Sequence, residues 1–271
     1  MPMWNKEHKS TNQAGIPKIV MQTWKTREVP EDWLPSQVSI DKHMSNWSYV
    51  LMTDEDNRNF VEQHFPDFLP YYDQLPWAIQ RADAVRYCWL YVHGGVYMDL
   101  DYEILEPLDI LFSTGGDLYL AASSNIPSSL TNSFMASRPR HQFWLDVIEA
   151  IKCECDNPTW WAMGKHLRVM MSTGPGIVNR VARSGKHIYT VIPPDLLSPE
   201  NLCQATGKVG MMRPLRGCSW GSWDTQLYNF CFCDPWLAVV VLCVIVLVTV
   251  LIIWYLIVYL RRRHRTVTMV V

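Results

Sequence analysis

The chain has 271 residues, 49% of them hydrophobic, and a formal net charge of −2. That length suits one globular domain with something added, and the near-neutral charge carries no argument for nucleic acid, so none is expected as a partner. Thirteen tryptophans and twelve tyrosines are many; most belong in a core, and aromatic surfaces suit sugar or membrane contacts.

Residues 1–15 are polar and without period. They hold no apolar stretch of the kind a secretion signal needs, and a mobile tail is expected there. Residues 18–24 (Lys-Ile-Val-Met-Gln-Thr-Trp) read as a strand, followed by a polar loop with Pro30 and a short helix from near Asp32. Residues 47–53 read as a second strand. Asp54 then suits an N-cap for a helix over 55–64. Asn46-Trp47-Ser48 is a glycosylation sequon that abuts this strand. Residues 65–76, rich in aromatics and proline, read as a loop or broken helix.

The stretch 81–103 carries the chemistry. Ala82, Val85, Trp89 and Val92 recur three or four apart, the mark of one helical face. Asp83 and Arg86, three apart, share another. Gly94-Gly95 ends the helix, and Val96-Tyr97-Met98 reads as a short buried strand. Asp99 and Asp101 follow, with Leu100 between them. Strand alternation would send the two carboxylates to one side. Paired carboxylates at the carboxyl end of an apolar strand form a hard-oxygen site for Mg²⁺ or Mn²⁺. An isolated Asp-x-Asp is more often a solvated turn; the helix, the glycine turn and the strand ahead of it supply the context of a site.

This run, with Arg81, Asp83 and Arg86 before it, resembles the DxD sugar-binding region of glycosyltransferase family 32, which includes mannosyl phosphorylinositol ceramide synthases. The resemblance begins near residue 16 and fades after about Trp223. It implies a GT-A-type nucleotide-sugar-binding fold, an α/β domain with a mixed sheet. It implies that Asp101 is the direct metal ligand, that Asp99 holds a metal-bound water or the ribose, and that Asp83 and Arg86 meet the donor-sugar hydroxyls and nearby phosphate. It places Trp24 against the nucleotide base and Asn132 near sugar and acceptor, and it closes Ser219-Trp220 over metal and diphosphate. Many members carry histidines around that terminal Ser-Trp. Here Gly221 follows it, and Arg213 and Arg216 precede it, so the third metal ligand is open and the arginines are candidates to neutralise phosphate directly.

Beyond the motif, a short helix is expected over 107–112, strands over 117–122 and 132–136, an amphipathic helix over 139–153 and a further helical stretch over 159–171. Ser172-Thr173-Gly174-Pro175-Gly176 resembles a family turn whose backbone N–H groups could face a diphosphate; a plain structural turn is the alternative. The eight cysteines do not match zinc spacing. Disulfides are open to them if the domain is lumenal.

Residues 236–260 contain no charge, glycine or proline. As a helix they reach roughly 37 Å, enough to cross a bilayer. Tryptophans and tyrosines near both ends suit the interfaces, and Arg-Arg-Arg-His-Arg follows at 261–265. The expected organisation is a tail over 1–15, a catalytic domain over 16–233, one transmembrane helix over 236–260 and a basic tail over 261–271. Positive charge on the cytosolic side would put the domain in the lumen, of Golgi type. The lack of a visible secretion signal pulls the other way.

The expected activity is metal-dependent, retaining transfer of a hexose. GDP-mannose is the favoured donor and a membrane lipid such as inositol phosphorylceramide the favoured acceptor. A glycan or protein-linked acceptor stays open, as does a silent sugar-nucleotide-binding membrane protein.

Overall fold

The computed structural model describes residues 5–6, 15–198, 203, 210–215 and 220–268, with residues 5–6 and 258–268 as backbone alone. It divides into two compact units, 1–222 and 223–271.

The first unit runs β1 (Asn5–Lys6), β2 (Ile19–Thr23), α1 (Leu34–His43), β3 (Ser48–Met52), α2 (Asp54–His64), α3 (Leu69–Gln74), α4 (Ala78–His93), β4 (Gly95–Met98), β5 (Tyr102–Ile104), β6 (Leu118–Ala122), β7 (Leu130–Ser137), α5 (Gln142–Asp156), α6 (Gly164–Ser172), α7 (Pro175–Ala182), β8 (Thr190–Ile192), α8 (Pro194–Leu197) and β9 (Met212–Pro214). Seven strands form one mixed sheet in the order β1-β3-β2-β4-β7-β6-β8. β2 is parallel to β3 and β4, whereas β7 runs antiparallel to β4 and β6. β5 and β9 make a separate two-stranded ribbon. Asn5 and Lys6, within the tail expected to be mobile, pair with Val50 and Tyr49 at the sheet edge.

Alternation along the inner strands feeds two cores, one on each face of the sheet. Met21, Tyr97 and Met135 join Val85, Cys88, Phe143 and Trp144 on one face. Val20, Val96, Met98, Phe134 and Ala136 join Ile40, Trp47 and Leu108 on the other. The helix α4 is enclosed almost all round: Asp83 through Leu90 are all buried. The expected single apolar face was therefore only part of its packing, because α4 lies between the sheet and several other helices.

Gly94 and Gly95 let the chain turn from α4 into β4 within two residues. Their φ angles are +64° and +83°, a region that L side chains rarely adopt. A Cβ on Gly94 would lie 2.7 Å from the Ser137 carbonyl oxygen, and one on Gly95 would lie 2.5 Å from that of Ile19. The two glycines therefore allow β4 to dock between β2 and β7.

Three local expectations change. α2 is capped by Thr53 rather than Asp54: its hydroxyl accepts from Asp56 N at 3.2 Å, and Thr53 N donates back to Asp56 Oδ2 at 2.8 Å. That reciprocal box satisfies two backbone donors, so it outcompetes a lone aspartate one residue later. The helix expected over 159–171 begins only at Gly164. β4 ends at Met98, so Asp99 to Asp101 lie in a turn and not in extended alternation.

The second unit holds α9 (Trp223–Cys233) and α10 (Pro235–Thr268). Pro235–Ile257 is long and apolar enough to cross a membrane, with mean hydropathy 3.4.

Candidate active site

The site is built where β4 ends. Asp99 N donates to Ser133 O of β7 at 2.8 Å, extending the pairing one residue past the strand. From the other side, Gln22 of β2 donates its amide to the Asp99 carbonyl at 3.1 Å and to Ser36 Oγ at 2.9 Å. Gln22 is wholly buried, and its own oxygen accepts from Tyr49 Oη at 3.0 Å. The acidic turn is thus fixed through its backbone on both flanks.

A second network fixes the side chain. Asp99 Oδ1 accepts from Tyr97 Oη at 2.5 Å and from Arg86 Nη1 at 3.0 Å. The Arg86 guanidinium lies 4.2 Å from the centroid of the Tyr97 ring, which supports it as a cation over a π face. Arg86 Nη1 also donates to Asn132 O at 2.9 Å, and its Nη2 pairs with Asp83 Oδ1 at 3.0 Å. Asp83 in turn accepts from Asn132 Nδ2 at 2.9 Å and from Thr173 Oγ1 at 3.0 Å. Tyr87 Oη donates to Thr173 O at 2.7 Å and accepts from Asn132 Nδ2 at 3.0 Å. Asp83, Arg86, Asn132 and Thr173 are all buried.

The electrostatics follow from that burial. Loss of water pushes the Asp83 carboxyl up to about 6, with Arg86 opposing. Three donors face it, so it stands as a carboxylate at neutral pH. Arg86 is held firmly protonated by Tyr97, Asp99 and Asp83, which outweigh its own burial. Asp99 and Asp101 are both pushed upward, chiefly by burial, and the Asp99 charge raises Asp101 further. Asp101 Oδ1 is buried with no hydrogen-bond partner among the described residues. A buried carboxylate oxygen left bare beside a second carboxylate is costly to the fold, and the donor set fits a hard divalent cation.

The residues named from the sequence are not all brought together. Asp83, Arg86, Asp99 and Asn132 form one bonded cluster, adjoining Asp101. Trp24 lies just past the end of β2, half-buried, edge-on to Trp33 at 4.8 Å. Trp220 stacks on His166 of α6 at 5.3 Å between ring centroids, and its carbonyl accepts from Lys165 Nζ at 2.7 Å. Ser219 and Arg216 lie outside the described residues. The Arg213 guanidinium is paired with Glu103 across the β5–β9 ribbon. Among the described residues, no group of three or more histidine, cysteine, aspartate or glutamate side chains could hold a metal.

Sequence reasoning passed over Tyr97 and Gln22. Tyr97 sits two residues before Asp99, the spacing that shares a strand face, and that was a usable signal. Gln22 is an amide in an otherwise apolar strand, whose partners are 14 and 77 residues away. Only the folded chain brings them together.

Residues 30–116 match the family model described as a glycosyltransferase sugar-binding region containing a DXD motif. The chain is 38% identical over 204 residues to inositol phosphoceramide mannosyltransferase 3 of Schizosaccharomyces pombe, covering 70% of this chain and 54% of that protein. It is 42% identical over 168 residues to inositol phosphoceramide mannosyltransferase 2 of the same organism, covering 61% and 46%. The chain belongs to the family 32 glycosyltransferases, which carry this region. It spans about half the length of these curated family relatives. Among solved structures, the PaToxG glycosyltransferase is similar with a TM-score of 0.50 at 14% identity, over 64% of this chain and 70% of that one. The mixed sheet with the family's DXD turn at the end of its central strand is a GT-A-like fold.

Proposed function

We propose that this glycosyltransferase moves mannose from GDP-mannose to inositol phosphorylceramide with retention of configuration. The observation that carries the site is the bare, buried Asp101 oxygen beside an Asp99 already committed to Arg86 and Tyr97. The names of the similar proteins supply the sugar and the acceptor.

Asp101 would hold Mn²⁺ or Mg²⁺ directly, with Asp99 taking a metal-bound water or the ribose. Bound there, the cation supplies positive charge toward the departing diphosphate. The chain's own residues do the rest. Asp83, with one of about four lone-pair positions still open, accepts from a donor-sugar hydroxyl. Arg86 is set between Asp83 and Asp99 and fixes their spacing, leaving a guanidinium charge near the phosphate. Asn132 presents its remaining capacity to sugar and acceptor. Trp24 stacks on the base, and Trp220 closes the far side. Fixed dipoles of this kind need no reorganisation as charge develops.

The apolar part of α10 would anchor the chain in a membrane, with residues 261–265 on the cytosolic side and the catalytic unit in the lumen, as in a Golgi enzyme. Cys203 stands in a disulfide, which suits an oxidising compartment.

A silent sugar-nucleotide-binding protein is the second reading. It is favoured by the missing third carboxylate or histidine among the described residues and by Gly221 after Trp220. A panel of GDP- and UDP-sugars with Mn²⁺, read first as donor hydrolysis and then with inositol phosphorylceramide, separates the two. Turnover of GDP-mannose supports the enzyme; binding without turnover of any donor supports the silent protein.

A further inference from the structure

The loop joining α5 to α6 displays its largest side chains to water. Trp160 is 85% exposed, Trp161 48% and Met163 77%. The loop itself is firmly built. Glu154, buried near the end of α5, accepts from Thr159 N at 2.5 Å and Thr159 Oγ1 at 2.9 Å, and Arg180 of α7 pairs with the same carboxylate at 3.3 Å. Ala162 is fully buried, and Ala162 N donates to Thr159 O at 3.1 Å. A fixed base, with the buried Ala162 between Trp161 and Met163, holds the two indoles and the thioether outward, where they find no core to enter.

The same segment leads into the candidate site. α6 starts at Gly164, directly after the loop. Its Lys165 and His166 hold Trp220. Its last residue, Ser172, accepts from Gln80 of α4 at 2.7 Å, and the next, Thr173, donates to Asp83 at 3.0 Å. One rigid element therefore runs from the exposed tryptophans to the sugar-side carboxylate.

We infer that Trp160, Trp161 and Met163 form a membrane-seating surface that enters the headgroup–acyl boundary of a bilayer beside the acceptor lipid. Tryptophan partitions to that boundary, with its ring among the acyl chains and its N–H toward the headgroups. The chain also carries its own apolar helix, Pro235–Ile257, and tethering to a bilayer raises the effective concentration at which a weak surface contact forms. The inference rests on the membrane anchorage and lipid acceptor proposed above.

The test uses the full chain in nanodiscs made with or without brominated phosphatidylcholine, as wild type, as Trp160→Ser/Trp161→Ser and as Trp160→Phe/Trp161→Phe. The emission lost on going from wild type to the serine variant belongs to the two loop tryptophans. Seating predicts that this difference is quenched at least twofold by brominated lipid. It also predicts that the serine variant raises the apparent KM for inositol phosphorylceramide in the bilayer about tenfold, that phenylalanine restores most of it, and that acceptor-free GDP-mannose hydrolysis is unchanged. An unquenched difference overturns the inference whatever transfer shows, and assigns the loop to a soluble glycan or protein partner. If the total emission, including Trp236 and Trp254, is quenched while the difference is not, the anchor stands and the loop proposal falls. If neither is quenched, both fall. If quenching holds but no donor is turned over, the surface stands and the proposed reaction falls.

Discussion

Asp101→Asn separates the burden that the acidic turn places on the fold from its service to a metal. In the metal-free protein the Asp101 carboxyl is raised from its ordinary 3.8 by burial and by Asp99. The folded state thus holds the proton more tightly than the unfolded chain. The contribution to stability is fully present below about pH 4 and is lost as pH rises through the folded-state value. At pH 8 the carboxylate is ionised, with Oδ1 buried and without a partner among the described residues. Asparagine keeps the shape and removes the charge, relieving about 1–2 kcal/mol, or roughly 2–8 °C in Tm for a domain of this size. Metal reverses the order. At a Mn²⁺ concentration of about 100 Kd the wild type gains ~2.7 kcal/mol, and the variant, lacking the ligand proposed above, gains close to nothing. The assay is thermal unfolding at pH 8 with and without Mn²⁺, beside transfer measured in saturating metal. The variant should melt higher than wild type in chelator, lower than wild type in Mn²⁺, and show almost no transfer. A variant that melts lower in chelator, or that keeps the full Mn²⁺ shift, would refute the reasoning.

Other perturbations follow from the same geometry. Because Asp101 is pushed up to about 7, metal must displace its proton in acid. Mn²⁺ affinity measured by titration calorimetry should fall about tenfold per pH unit below 7 and level off above it. Tyr97→Phe removes the donor to Asp99 Oδ1 while keeping the ring beneath Arg86; turnover should fall about tenfold, with a stability loss near ~1 kcal/mol by denaturant titration. Gln22→Leu frees the Asp99 carbonyl, strands Ser36 Oγ and takes the acceptor from the Tyr49 hydroxyl, which keeps only the donor from Gln37, so chemical denaturation should show a loss of about 2–4 kcal/mol. Gly95→Ala forces a Cβ onto the Ile19 backbone at positive φ; soluble yield should collapse, since a strained φ and a backbone clash together cost at least ~3 kcal/mol.

Much of this was legible before folding was considered. Gly94-Gly95 and the apolar triplet after them marked the helix-to-strand turn, because positive φ and buried strands leave strong local signatures. The spacing of Asp83 and Arg86 put them on one helical face, where they pair, and the family resemblance alone gave them a role. What stayed hidden depends on contacts distant in sequence. Thr173 bonds Asp83 across 90 residues and Asn132 bonds it across 49; no local pattern couples them. The strand alternation invoked for Asp99 and Asp101 was a poor guide, because β4 gives way to a turn at Met98. Their electrostatic coupling survives that error, since a turn also brings i and i+2 close. The reading of α4 as one-faced failed for a related reason: periodicity reports a helix against one neighbour, and α4 has several.

The opposed directions of β4 and β7 carry a mechanical implication. A strand that ends at the site and one that begins there meet head to tail, so Asn132 enters from the opening of β7 while Asp99 leaves from the close of β4. Met98 faces Phe134 in the antiparallel register of the two strands. Were β7 to slip by a single position, Thr131 or Ser133 would replace the carboxamide and its side chain would point away to the far layer. The 123–129 hairpin thus acts as a gauge that sets the distance between the two walls of the candidate site, and lengthening or shortening it would retune that site without changing a residue that lines it.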